Sequence, residues 1–340
     1  MQMRTLGRTG VKVSPLCLGA MMFGQWGEPD HDESIRIINR ALDAGINFVD
    51  TADMYSAGES EEIVGKALQG KRDKVVLATK FHGAMSFDPN EQGNSRRWIV
   101  KEVENSLRRL QTDYIDLYQV HRPSPETDID DTLSALTQLI RDGKVRYIGT
   151  STYPAHEVVE AQFIARDRGR ERFVSEQPPY SLLVRGIERD LLPVAQQYGM
   201  GIIPWSPLAG GWLSGKWRKG GTDNESRRAA LLPDRYDLSI PDNQRKLNAA
   251  DAFANLADKH GISLVQMAIA FVIRHPAVTS AIIGPRTMDH LESQLGAADL
   301  ELSDEILDCI DEIVPPGVTL HEADRGYDPP ALTEAKLRRR

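Results

Sequence analysis

Four residues with acid, base or proton-donor side chains stand at the ends of short apolar runs. Asn47-Phe48-Val49-Asp50 ends in Asp50, and Val75-Val76-Leu77-Ala78-Thr79-Lys80 ends in Lys80. Tyr114-Ile115-Asp116-Leu117-Tyr118-Gln119-Val120 runs into His121, and Tyr55 follows Asp50 by five residues. An ammonium beside a phenol favours the phenolate, and a carboxylate beside the ammonium holds it charged and in place. Asp50, Lys80 and Tyr55 together therefore read as a tuned proton donor. Taken singly, each has an ordinary structural reading: a Lys–Asp pair at strand ends is often only structural, and a loop Tyr is often a packing residue. His121 shifts the balance toward chemistry, because three successive runs ending in Asp, Lys and His are hard to explain as packing.

The elements that must carry these residues follow from the same pattern. A helical segment around Glu59–Leu68 separates the Asp50 and Lys80 runs, and a strand–helix–strand unit of this size makes two parallel neighbours. Asp50 and Lys80 then emerge at one end of the sheet, with Tyr55 in the loop above it. The alternation extends along the chain. Leu16-Cys17-Leu18-Gly19 reads as the first buried strand; Asp30 and Glu33 then form a capping-box-like helix start, with Ile35, Ile38 and Leu42 at helical spacing and Gly45 as the stop. Val145–Gly149, Phe173–Ser175, Gly201–Ile203 and Val278–Ile283 supply the fifth to eighth strands, and Met288, Leu291 and Leu295 mark a closing helix. Eight strands alternating with helices predict an α/β chain folded as a (β/α)8 (TIM) barrel rather than a doubly wound sheet. Arg4–Leu6 and Val11–Val13, joined by Gly7-Arg8-Thr9-Gly10, predict an N-terminal hairpin. Residues 206–243 break the rhythm, helical stretches follow around Leu247–Lys259 and Ser263–Arg274, and the chain beyond Pro315-Pro316 reads as an irregular tail across the barrel mouth. The expectation is one domain over 1–340, with a core of about 6–300 and a tail of about 315–340.

Composition narrows the function classes. The chain has 340 residues and a net charge of −8, which argues against general nucleic-acid binding. No apolar run approaches the ~20 residues of a membrane span. Cys17 and Cys309 offer no disulfide framework, Cys309 sits at apolar helical spacing and is expected to be buried, and Met1-Gln2-Met3-Arg4-Thr5 lacks an apolar signal region. A reducing cytoplasm fits, and no metal site is expected. No Gly-x-Gly-x-x-Gly follows a strand. Gly210-Gly211-Trp212-Leu213-Ser214-Gly215-Lys216 has the spacing of a phosphate loop, but Trp217 stands where a Mg-binding Ser or Thr belongs, so ATP hydrolysis is not expected. Its backbone amides remain suited to a pyrophosphate.

Phe48-Val49-Asp50-Thr51-Ala52 with Tyr55, Gly58-Glu59-Ser60-Glu61, Ala78-Thr79-Lys80 and Asp116–His121 resemble the aldo-keto reductases, in particular the bacterial branch akin to potassium-channel β-subunits. The likeness runs from about Leu6 to about Leu300. It implies that Asp50, Tyr55, Lys80 and His121 form the family's catalytic tetrad, that the hairpin plugs the barrel bottom, and that NADPH (NADP+) is the cofactor. By the same resemblance Ser151 and Gln177 hold the nicotinamide carboxamide and Trp205 stacks on the ring. Ser206, Leu208, Gly210 and Lys216 line the phosphates, and Gly284, Arg286, His290 and Gln294 lie on the segment for the 2′-phosphate and adenine, which is expected to open a helix. Thr152 departs from the family, which usually carries Asn there. The implied activity is reversible reduction of an aldehyde or ketone, with a small carbonyl compound as substrate, and Met22, Phe23, Trp26, Tyr55, His82 and Met85 as candidates to line an apolar mouth. Two other readings compete: a nucleotide-sensing regulatory subunit with little turnover, which the complete tetrad disfavours, and an aldolase-like site with Lys80 as Schiff-base nucleophile. The latter needs a depressed Lys80 pKa, which Asp50 opposes.

Overall fold

The apolar runs become the staves of a barrel in the computed structural model, which describes residues 1–220, 229 and 232–338. Part of the irregular 206–243 segment and the last two residues of the basic terminus lie outside the described residues. Arg4–Thr5 (β1) and Lys12–Val13 (β2) pair as the antiparallel hairpin. The staves are Leu16–Gly19 (β3), Phe48–Asp50 (β4), Val76–Phe81 (β5), Ile115–Val120 (β6), Val145–Ser151 (β7), Ser175–Gln177 (β8), Gly201–Ile202 (β9) and Ala281–Ile283 (β10). They form one parallel eight-stranded sheet in the order β10-β3-β4-β5-β6-β7-β8-β9. A parallel bridge between Ile202 and Val278 joins the outer strands, and the Ile282 amide donates to the Pro204 carbonyl at 2.8 Å. The sheet thus curls back on itself, as a (β/α)8 barrel requires.

Helices cover the outside. Asp30 caps His31–Asp43 (α1), its side chain accepting from the amides of Asp32 and Glu33, and Ser34, Ile37, Ile38 and Ala41 make the buried stripe. The capping box is one-sided: the Glu33 carboxylate pairs with Arg36. Glu59–Ala67 (α2) and Arg96–Leu110 (α3) pack side by side between β4, β5 and β6. Inside the barrel a second core of Cys17, Phe48, Ala78, Leu117, Val174, Ile203 and Ile282 closes on Leu6 and Val13 of the hairpin segment. The hairpin therefore plugs the barrel from within. Gly7 makes this possible, since a Cβ there would lie 2.8 Å from the Gly199 carbonyl oxygen. Removing the buried Phe48 ring is expected to cost ~3–5 kcal/mol.

Several boundaries differ from the sequence expectation. The sixth strand starts at Ser175 rather than Phe173, because Phe173 turns outward to pack on Tyr153, with ring centres 6.3 Å apart. The eighth starts at Ala281 rather than Val278. The helix after residue 240 begins at Pro241, six residues before Leu247, since Pro suits a first helical turn. The closing helix begins at Met288 behind the cap Thr287, so Gly284 and Arg286 precede it rather than opening it. Cys309 is half-buried, because the inward stripe of its helix runs through Ile306 and Ile310. The tail beyond Pro315 does lie across the mouth. A Cβ on Gly326 would stand 2.8 Å from Trp205 Cζ2 and 3.1 Å from Thr152 Cγ2.

Candidate active site

The parallel register decides which side chains meet. Lys80 pairs with Gln119 across β5 and β6, and Asp50 with Ala78 across β4 and β5. Lys80, wholly buried, donates from Nζ to Asp50 Oδ2 at 2.6 Å, to the Thr51 carbonyl at 2.7 Å and to the Tyr55 hydroxyl at 3.1 Å. The loop carrying Tyr55 is pinned to β5, because the Thr51 and Asp53 amides donate to the Ala78 and Lys80 carbonyls. Ser56 and Ala57 then take left-handed backbone (φ 49° and 55°), turning the chain sharply after Tyr55. The His121 ring meets the Tyr55 ring edge-on at 5.7 Å, and Trp26 stands 6.0 Å from Tyr55 on its other side. Asp50, Tyr55, Lys80 and His121, spread over 72 positions of sequence, therefore converge at the C-terminal end of the barrel.

Two amides complete the floor: Gln177, expected at the cofactor, and Gln119, which the sequence did not mark. Gln119 and Gln177 each donate from Nε2 to Asp50 Oδ1, at 3.1 and 2.9 Å. With Lys80 on the other oxygen, the Asp50 carboxylate is fully engaged despite burial. Ser151 donates its hydroxyl to the Gln177 carbonyl at 2.8 Å, so these two expected neighbours are in contact. Thr152 holds φ 58°, a left-handed conformation disfavoured for a β-branched side chain. Its hydroxyl donates to the Ser151 carbonyl at 2.7 Å and accepts from Arg122 at 3.3 Å. Phe23 is in the core rather than at the mouth, whereas Trp26 is exposed.

Electrostatics assign charge states. Burial pushes the Lys80 ammonium down, but the charges and hydrogen bonds of Asp50 and Tyr55 more than offset it, and its pKa lies above the usual lysine value. A charged amine is a poor Schiff-base nucleophile, which removes the support for the aldolase reading. Burial, then Lys80, Arg122 and His82, hold His121 well below the usual histidine range. His121 is thus a neutral imidazole near pH 7, able to donate one ring N–H. Burial also lowers His82, whose Nδ1 meets Asn94 Oδ1 at 2.9 Å. Glu176 is fully buried, and desolvation pushes its carboxyl up to about 8.

The expected cofactor residues form a track away from this centre. Trp205 is half-buried at the mouth, and its amide donates to the Pro178 carbonyl at 3.0 Å. Beyond it Ser206, Ala209, Gly210 and Gly211 all take positive φ (56°, 49°, 68° and 104°), so the backbone curls tightly past Leu208. Such a curl is a common anion cradle. Trp212, Trp217 and Tyr236 stack behind it, and the Tyr236 hydroxyl donates to the Gly210 carbonyl at 2.8 Å. A narrow cavity of about 40 Å³ lies among Trp205, Ser206, Gly210 and Asp324. At the far end burial, then the charges of Arg286 and Lys216, hold His290 below its usual pKa, so the three groups are neighbours. Gly284 is exposed beside them, and Gln294 is buried with Oε1 lacking a hydrogen-bond partner. An orphaned buried acceptor suits an adenine amine and the two cations a phosphate, so these residues fit a nicotinamide dinucleotide.

Comparison with known proteins follows the same line. The model of the aldo/keto reductase family matches residues 15–315. The uncharacterized oxidoreductase YrpG of Bacillus subtilis is 40% identical over 336 residues, covering 95% of this chain and 99% of that protein. The versiconal hemiacetal acetate reductase of Aspergillus parasiticus is 34% identical, with 96% and 100% covered. A protein of Oryza sativa named a probable voltage-gated potassium channel subunit beta is 36% identical, with 92% and 97% covered.

Proposed function

Because this chain belongs to the aldo/keto reductase family, we propose that it is an NADPH-dependent reductase of aldehydes or ketones. The observation that carries this reading is the single ammonium, Lys80, bonded at once to Asp50 and to the Tyr55 hydroxyl, with neutral His121 against the same ring. When bound, NADPH supplies the hydride to the carbonyl carbon. The chain's own residues handle the oxygen. His121 donates a hydrogen bond that orients the carbonyl, and Tyr55 gives its proton to the oxygen as negative charge develops there. Lys80, donating to the Tyr55 oxygen, stabilises the phenolate left behind, while Asp50 holds Lys80 in position. The reverse reaction uses the same groups.

In this reading Ser151 and Gln177 hold the nicotinamide carboxamide and Trp205 stacks on the ring. Ser206, Leu208, Gly210 and Lys216 surround the pyrophosphate, and Arg286 with Gly284, His290 and Gln294 receives the phosphorylated adenosine. The charge pattern supports the phosphorylated cofactor: Lys216 and Arg286 both act on His290, and neither forms an ion pair among the described residues. A cytoplasmic setting and a small carbonyl substrate belong to the same proposal. Among the described residues no single helix is long and apolar enough to cross a membrane. The likeness to a channel-subunit relative sustains a second reading, a nucleotide-binding regulatory protein with little turnover. NADPH oxidation measured over a panel of aldehydes, ketones and dicarbonyls separates the two. Turnover with at least one class supports the reductase, and tight NADPH binding without turnover on any member supports the regulatory protein.

A further inference from the structure

Arg122 leaves the barrel directly after His121. Its Nη1 donates to the His121 carbonyl at 2.7 Å and to Thr152 Oγ1 at 3.3 Å, which anchors the guanidinium at the rim between β6 and β7. The remaining nitrogens have no partner among the described residues. Several other buried or half-buried cations carry carboxylate partners. Lys80 pairs with Asp50, Arg109 with Glu61 and Glu102, Arg185 with Glu188 and Asp311, and Lys246 with Asp324. Arg122, half-buried, has no carboxylate partner. The acidic groups that act on it are Tyr55 and Glu176, and Glu176, held up at about 8 by burial, is mostly protonated near neutral pH. His82 and His121, which also face it, are held neutral.

An uncompensated guanidinium in a partly desolvated site is unfavourable unless a ligand brings the counter-charge. The cofactor's phosphates, on the reading above, lie along the loops after β9 and β10, away from the β6–β7 rim. The missing anion then belongs to the other reactant. We propose that Arg122 is a specificity-determining residue that receives a carboxylate or phosphate carried by the substrate, making anionic aldehydes or ketones the preferred class. This inference rests on the reductase reading. The free edge of the guanidinium suits either oxyanion, because its planar fork can donate two parallel hydrogen bonds.

The test uses matched substrates with the full-length protein and NADPH: 4-oxobutanoate against its methyl ester, and glyceraldehyde 3-phosphate against glyceraldehyde. The wild type is expected to favour the charged member of at least one pair in kcat/KM. Arg122→Met is expected to lower the charged-to-neutral ratio by about 10- to 100-fold, the range of a charge-assisted hydrogen bond, with Arg122→Lys recovering part of it. The pair that responds tells carboxylate from phosphate. A wild type without preference, or equal losses for both members, would show that Arg122 only tethers His121 to Thr152 and would overturn the proposal. If no member is reduced at all, the reductase reading is decided by the wider carbonyl panel and the anion site by binding. Succinate and inorganic phosphate then serve as probes, titrated against intrinsic tryptophan fluorescence with NADP+ present. Saturable binding lost in Arg122→Met supports the anion site, and its absence in the wild type rejects it.

Discussion

Lys80 Nζ lies 3.1 Å from the Tyr55 hydroxyl and 4.8 Å from the centre of the same ring, so the ammonium sits beside the phenol oxygen rather than over the ring face. A hydrogen bond donated to that oxygen strengthens as the phenol gives up its proton. Tyr55→Phe removes this exchange and little else. Turnover of any active carbonyl is expected to fall by ~10²-fold or more, the lower end of what general-acid catalysis contributes. NADPH affinity measured by titration should stay within a few-fold. Near-wild-type kcat in the variant would take Tyr55 out of the proton-donor role.

The buried Lys80–Asp50 pair makes a stability prediction that is separable from catalysis. Lys80→Met leaves the Asp50 carboxylate buried with only the two glutamine amides. Losing one partner of a buried pair costs ~3–5 kcal/mol. The double variant Lys80→Met/Asp50→Asn removes the orphaned charge and should regain much of that loss in denaturant titrations, while remaining inactive. Additive losses in the cycle would mean the pair is not coupled.

Cofactor choice should depend on Arg286. Arg286→Ala is expected to weaken NADPH by ~1.5–3 kcal/mol, the range of a hydrogen bond to a charged group. Lys216 is exposed, so Lys216→Ala should cost less, ~0.2–1 kcal/mol, with both effects shrinking as salt is added. NADH, lacking the 2′-phosphate, should be nearly indifferent to the first change. Equal losses for both cofactors in calorimetry, or a wild-type preference for NADH, would contradict the assignment.

Glu176 makes stability depend on pH. Its folded pKa of about 8 lies above the ordinary 4.5, so between those values the folded state binds more protons than the unfolded one. Stability from this group is fully present below pH ~4.5 and is lost as pH rises toward 8. Glu176→Gln should flatten the fall in Tm across that window. Asp53 and Glu61, also raised by burial, should leave a residual slope. An unchanged slope in the variant would show that Glu176 is not held protonated, since the opposing contributions of the depressed His121 and His82 are common to both proteins.

The barrel and the meeting of the four site residues were legible in the sequence for a physical reason. Strands buried on both faces must be short continuous apolar runs, and their C-terminal ends are the one place where Asp50, Lys80 and His121 could interrupt them without burying an unpaired charge. The hairpin and the Asp30 helix cap were local in the same sense. Tertiary structure alone decided what depends on register and on distant chain. Gln119 reads as an ordinary strand residue and Gln177 as a cofactor contact until pairing brings both amides onto Asp50. Thr152 gives no sign of its left-handed backbone, because that conformation is imposed by the contacts of the β7 end with β8 and Arg122. The seat of Gly326 on Trp205 joins residues more than a hundred positions apart, and no local pattern encodes it. Arg122 looks like a solvated loop charge in sequence. Only the fold buries it beside the acid while leaving it without a carboxylate, since the neighbouring Glu176 is itself desolvated into its neutral form.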